Sequence, residues 1–178
     1  MKSPFEKNLP HESEIEDFER VFRRANDFAS EKHSGQIRKG SGEPYVTHPI
    51  AVSKLVRVYG GDDDLVNAAI LHDTREDCDV DYDEIEELFN GRVADVVTEL
   101  TNDGELILKH GKANYMSRHL LELSDDALLV KLCDCLHNVL DRPKPGQVER
   151  IQDNVRVLQR NRRLKRNLKD LAENILAL

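Results

Sequence analysis

The chain has 178 residues, 39% of them apolar and 34% charged, with 26 Lys+Arg against 34 Asp+Glu, 7 His and 3 Cys. That length suits one domain around one core. The mean hydropathy is low, at −0.60, but apolar residues recur in clusters such as 65–71 and 128–140, which a solvated tail would lack. No apolar run approaches the ~18 residues of a membrane span. The opening MKSPFEKNLPHESEIEDFER has no apolar stretch of the signal-peptide kind. A soluble cytoplasmic protein with no membrane partner is expected.

Asp17 to Ser30 places Phe18, Val21, Phe22, Ala25, Phe28 and Ala29 on one helical face, which predicts a core-facing helix. The following HSGQIRKGSGEPYVTHP has three glycines and two prolines in 17 residues and reads as a loop carrying Arg38 and Lys39. A second helix, Pro49 to Tyr59, stops at Gly60-Gly61. Asp62 to Asp64 offer N-cap carboxylates for an apolar helix from Leu65 to Asp73. Asp83 to Asn90 reads as a helix ending at Gly91, and Arg92 to Thr101 as the next. Ala127 to Leu140 is a strongly apolar helix stopped by the prolines of DRPKPG. Gln147 to Leu178 carries apolar residues at helical spacing and suggests a long final helix. Few stretches alternate with period two, so the expected fold is all-α, a single globule of about seven to nine helices spanning residues 1–178.

Charge is unevenly placed. From residue 150 onward there are 8 basic and 3 acidic residues, a net of +5, which leaves −13 on residues 1–149. An acidic body repels nucleic-acid backbones and argues against such a partner. The basic end suits either a phosphate-bearing partner or an ordinary solvated helix face. Cys78, Cys133 and Cys135 are odd in number, and the last two lie about 200° apart around a helix axis, so they cannot share one ligand. That argues against a disulfide scaffold or a zinc finger.

Phosphoryl transfer from a bound nucleoside triphosphate loses support, because Gly35 and Gly40 have P-loop spacing but Gly40-Ser41 stands where Gly-Lys is required. Dinucleotide, HExxH and GxSxG patterns are also missing. The informative stretch is AAILHDTREDCD, in which an apolar helix runs into His72-Asp73, with Glu76-Asp77 four positions on. If the helix continues or turns tightly, His72 with Glu76 and Asp73 with Asp77 point the same way. So many acids beside an apolar helix call for a compensating cation, and imidazole with carboxylate suits a divalent first-row metal. His48, in YVTHPI, stands at the loop-to-helix junction. Asp134 lies inside the apolar ALLVKLCDCLHNVL, with Asn138 one turn later and Lys131 as an ordinary salt-bridge partner.

The order H…HD…D resembles the metal-binding pattern of the HD-domain phosphohydrolases. More narrowly, HSGQIRKGSGEPYVTHPIAV, LVNAAILHDTREDCD and LLVKLCDCLHN resemble the hydrolase domain of the RelA/SpoT stringent-response enzymes, over about residues 18–141. The resemblance implies a stand-alone small alarmone hydrolase, with 147–178 as a basic helical segment after the family-like core. It implies one Mn²⁺ ion held by His48, His72, Asp73 and Asp134, and a Glu76–Asp77 pair that orients and deprotonates the nucleophilic water. Asn138 would lie near the ribose and 3′-phosphates, and Arg38, Lys39 and Ser41 in the loop that holds the guanosine. The substrate implied is a guanosine polyphosphate, (p)ppGpp, hydrolysed to GDP or GTP plus pyrophosphate. Adenosine alarmones and the 2′-phosphate of NADPH stay open as rival substrates, as does a silent nucleotide-binding module. Cys135 and Leu140 stand where the family commonly has cations, and Gly40 lengthens the loop. Arg142 is the candidate to replace the lost charge if the helix persists to Pro143, and Arg75 either aids a phosphate or pairs with Glu76 or Asp79.

Overall fold

A computed structural model describes residues 12–39 and 41–178. They form α1 (Glu12–Lys32), α2 (Thr47–Val58), α3 (Asp63–Leu71), α4 (Thr74–Asp77), α5 (Tyr82–Leu88), α6 (Gly91–Leu100), α7 (Gly104–His110), α8 (Lys112–Glu122), α9 (Asp125–Leu140), α10 (Gln147–Asn161) and α11 (Arg166–Leu176). Eight of these eleven have nine or more residues, in line with the expected all-α fold. Among the described residues the only strand-like pairing is a single bridge between Ile37 and Pro44, which closes the loop between α1 and α2. No helix among them is long and apolar enough to cross a membrane.

Side-chain caps fix where the central helices start. Asp62, Asp81, Asn90, Asp103 and Ser124 each accept the backbone N–H three residues on, at 2.8–3.1 Å, and so satisfy donors that a helix start leaves unpaired. Asp62 acts as expected. Asn90 does not end α5: its side chain starts α6, with Gly91 as the first helical residue.

α3 is the central helix. Residues 65–71 are all buried, and α1, α2, α6 and α9 pack around it. From α1, Ala25 and Ala29 are buried and Phe22 and Phe28 pack against the core. The side chains of Phe18 and Val21, and the whole of Gly40, lie outside the described residues. α7 and α8 fall where no periodicity was legible, because α7 buries nothing and α8 buries only Tyr115 and Leu120.

The expected long C-terminal helix is instead two helices. α10 ends at Asn161, Arg162 turns extended, and its guanidinium reaches back to Asp125 and the Leu123 carbonyl. That turn folds α11 onto α9, where Leu168, Leu171, Ala172 and Ile175 are buried. The basic segment is thus part of the packed body.

Candidate active site

Three places in the chain converge. The first turn of α2 supplies His48, the break between α3 and α4 supplies His72 and Asp73, and the middle of α9 supplies Asp134. α3 does not run on through the HD pair: His72 and Asp73 form a turn, and α4 is a single turn beginning at Thr74. The Asp77 N–H donates to the Asp73 carbonyl at 2.9 Å, which keeps that pair in register. The Glu76 carboxylate is taken by Asn102, whose side-chain amide donates to it at 2.7 Å.

His48, His72 and Asp134 are buried, and their ligand atoms lie within 4.8 Å of one another. His48 Nε2 is 3.1 Å from Asp134 Oδ1 and 3.9 Å from Asp73 Oδ2. His72 Nε2 is 3.1 Å from Asp73 Oδ2 and 3.9 Å from Asp134 Oδ1. His72 Nδ1 donates to the Ala69 carbonyl at 2.8 Å, and a carbonyl only accepts, so the neutral ring carries its lone pair on Nε2. That Nε2 is buried and makes no well-directed hydrogen bond. An orphaned imidazole nitrogen facing two carboxylates and a second imidazole fits a divalent first-row cation.

Neighbouring side chains hold these groups in place. The Tyr45 hydroxyl donates to Asp73 at 2.6 Å, Asn138 Nδ2 to Asp134 at 2.5 Å, and Lys131 to Asp134 at 3.0 Å. His48 Nδ1 and His137 Nδ1 are 2.9 Å apart. Such partners orient ligands and set their basicity. The salt bridge from Lys131 therefore exists alongside the other contacts of Asp134.

Electrostatics point the same way. Burial opposes a charged His72, yet Asp73 and Asp134 outweigh it and push the ring up to about 9. Burial would raise Asp134, but Lys131, His48 and His72 hold it well below the usual carboxylate range. Burial would likewise raise Asp73, which His72 and Tyr45 hold low. The cluster keeps its carboxylates charged and draws positive charge in. Asp77, in contrast, is raised by partial burial and by the charges of Asp73 and Glu76.

A cavity of about 560 Å³ adjoins the cluster, its walls including Arg38, Lys39, Tyr45, Asp77 and Asn138. Arg38 Nε donates to Asp141 at 3.0 Å, and its terminal nitrogen donates to Asn138 at 3.3 Å. Ser41 is not on this wall; its hydroxyl accepts the Glu43 N–H at 3.3 Å and shapes the loop. Arg75 pairs with neither Glu76 nor Asp79, and donates instead to Thr98 on α6 at 2.6 Å. α9 ends at Leu140, short of Pro143, yet Arg142 still lines the cavity from the following loop. Sequence reasoning missed Tyr45, Asn102 and His137. Of these only His137, one turn after Asp134 on the same helix, carried a local signal.

The family model for the HD domain matches residues 25–158. A guanosine-3′,5′-bis(diphosphate) 3′-pyrophosphohydrolase of Aquifex aeolicus is 42% identical over 118 residues, which make up 65% of this chain and 17% of that protein. The chain therefore spans about a sixth of that relative's length. The guanosine-3′,5′-bis(diphosphate) 3′-pyrophosphohydrolase MESH1 of Danio rerio is 37% identical over 133 residues, covering 71% of this chain and 73% of the relative. The solved structure of a metazoan orthologue of SpoT that hydrolyses ppGpp matches with a TM-score of 0.73 at 26% identity, covering 96% of this chain and 97% of that one.

Proposed function

The chain belongs to the HD-domain family, and from that premise we propose that it is a Mn²⁺-dependent hydrolase that removes the 3′-pyrophosphate of (p)ppGpp. One observation carries this reading. Asn138 bonds both Asp134 of the buried cluster, at 2.5 Å, and Arg38 of the cavity wall, at 3.3 Å, so a nucleotide lying in the cavity meets the cluster at its inner end.

His48, His72, Asp73 and Asp134 would hold one Mn²⁺. When bound, the ion stabilises negative charge at the attacked phosphorus and lowers the pKa of water. The reaction adds water to the phosphorus bonded to O3′, breaks the O3′–P bond, and leaves a protonated O3′ and free pyrophosphate. Asp77 lies on the cavity wall, with its affinity for a proton raised, and takes the proton from the incoming water. Glu76, fixed by Asn102, orients that water beside it. Arg38 and Lys39 face the nucleoside, and Asn138 the ribose. Residues 1–178 act in this reading as one catalytic unit that includes α10 and α11. A cytoplasmic setting is supported by the three cysteines, all of them free.

Product analysis tests the proposal. Purified protein with Mn²⁺ is given ppGpp, pppGpp, pppApp and NADPH; GDP or GTP with pyrophosphate is expected from the guanosine nucleotides. Orthophosphate released from NADPH at a higher kcat/KM, or no GDP from the metal-loaded protein, overturns it. Asp73→Ala should abolish turnover, whereas Glu76→Ala should keep the metal and lose at least ~100-fold in rate.

A further inference from the structure

The two imidazoles of the cluster are held from behind by different kinds of group. His72 Nδ1 donates to the Ala69 carbonyl, which can only accept, so the neutral ring keeps its lone pair on Nε2. His48 Nδ1 instead faces His137 Nδ1 at 2.9 Å, with the ring centroids 4.9 Å apart and the planes at 55°. His137 lies on α9 one turn after Asp134, is partly buried, and does not belong to the group of converging ligand atoms, which is His48, His72 and Asp134. Its place is behind a ligand.

Two ring nitrogens at that distance share one proton, since two N–H groups would repel and two lone pairs would make no bond. The bond can run in either direction. With His137 donating, His48 carries its own proton on Nε2, 3.1 Å from Asp134 Oδ1, where that proton bonds the carboxylate and covers the nitrogen that faces the cluster. With His48 donating, Nε2 turns a lone pair to the cluster and His137 keeps its proton on Nε2. A carbonyl behind His48 would allow only the second arrangement. An apolar side chain would favour only the first, because the second would leave a buried N–H without a partner. An imidazole allows both and keeps the bond in each.

We propose that His137 is a positioning residue that sets the tautomer of His48: it donates to His48 Nδ1 before a divalent cation enters the cluster, and accepts from it once the cation is bound. This rests on the metal-cluster part of the reading above. The exchange leaves the proton count of the pair unchanged. The His48 Nε2 proton goes to solvent, the shared proton passes from His137 Nδ1 to His48 Nδ1, and His137 Nε2 takes up a proton from solvent. What His48 gives up is its bond to Asp134, and the cation replaces that contact.

His137→Leu and His137→Asn, as full chains, are titrated with Mn²⁺ by calorimetry beside the parent. Leu offers no acceptor and should weaken Mn²⁺ by ~10-fold or more, whereas the Asn side-chain oxygen can replace Nδ1 and should hold the affinity to within ~3-fold of the parent. Equal losses in the two variants, or none in either, overturn the proposal. The parent supplies an arm that does not depend on how a variant folds: nitrogen-15 NMR of the histidine-labelled protein at mildly alkaline pH, metal-free and loaded with Zn²⁺, a diamagnetic ion suited to the same ligands. In the loaded protein His48 should carry its proton on Nδ1 and His137 on Nε2; in the metal-free protein the His137 proton should lie on Nδ1. A His137 proton that stays on one nitrogen throughout overturns the proposal, as does a parent that binds neither ion. None of these measurements needs turnover, so a protein that passes them and releases no GDP from ppGpp overturns the 3′-pyrophosphohydrolase reading and leaves the role of His137 standing.

Discussion

Asp134 lies within α9 with its side chain only 10% exposed, beside a Lys131 side chain that is 12% exposed. The carboxylate has two tasks there: it neutralises the ammonium and it turns its other oxygen toward His48. Asp134→Asn should therefore cost about 3 kcal/mol in urea unfolding, because it leaves a buried cation unpaired, and should also abolish Mn²⁺ binding. Adding Lys131→Met should restore most of the stability and none of the metal affinity. If the double variant still binds Mn²⁺, Asp134 is not a ligand. Tyr45 separates the same two effects from the other side. Its hydroxyl orients Asp73, so Tyr45→Phe should weaken Mn²⁺ about tenfold in a metal titration while stability shifts by about 1 kcal/mol or less. The HD pair, His48 and Asp134 were legible in the sequence through the H…HD…D resemblance, since residue type and local context alone left each of them open. Tyr45 was not, because it meets Asp73 across 28 residues, nor was Asn102, which meets Glu76 across 26. Contacts of that range leave no periodic trace.

Helices with one buried face were legible in the sequence, and their ends were less so. α3 and α9 announce themselves by dense apolar runs, broken only by Asn67 in the first and by a few polar residues such as Lys131 and Asp134 in the second, whereas α7, which buries nothing, shows no pattern at all. The break after α10 was hidden for a different reason. Apolar residues continue at helical spacing on both sides of it, and what stops the helix is a distant acid, Asp125 in the first turn of α9, drawing in Arg162 and Lys165. Lys165 and Arg162 hold the Asp125 carboxyl below its ordinary value, against a smaller opposing effect of burial. A carboxyl depressed on folding contributes stability above its unfolded pKa of about 4 and loses it as pH falls through the folded value. Asp125→Asn should thus cost about 1 kcal/mol at pH 7, the modest figure suiting partly exposed partners. Once the pH is low enough to protonate the parent's folded carboxyl too, the two proteins should unfold at the same urea concentration. A difference that persists there would mean that the contact acts through packing.

On the scale of the whole molecule, the formal charge of −8 omits whatever cation the cluster takes up. The acidic excess is not spread evenly, since Asp73, Asp77 and Asp134 gather where α2, the turn after α3 and α9 meet, and among the described residues Lys131 is the one lysine or arginine that pairs with them. A divalent ion relieves that repulsion in the folded state, whereas the unfolded chain scatters the ligands, so binding must appear as stability. At a free Mn²⁺ concentration 100 times Kd the gain is about 2.7 kcal/mol. For a chain of this size that corresponds to roughly 5–10 °C in Tm. Adding chelator should return Tm to the metal-free value, and Asp134→Asn should show no Mn²⁺-dependent shift. The gain should shrink as pH falls, because protons compete for the His72 ring, which its carboxylate neighbours push up to about 9, and the metal must displace them. A Tm shift of undiminished size in Asp134→Asn, or one that grows toward acid pH, would put the ion somewhere other than this cluster.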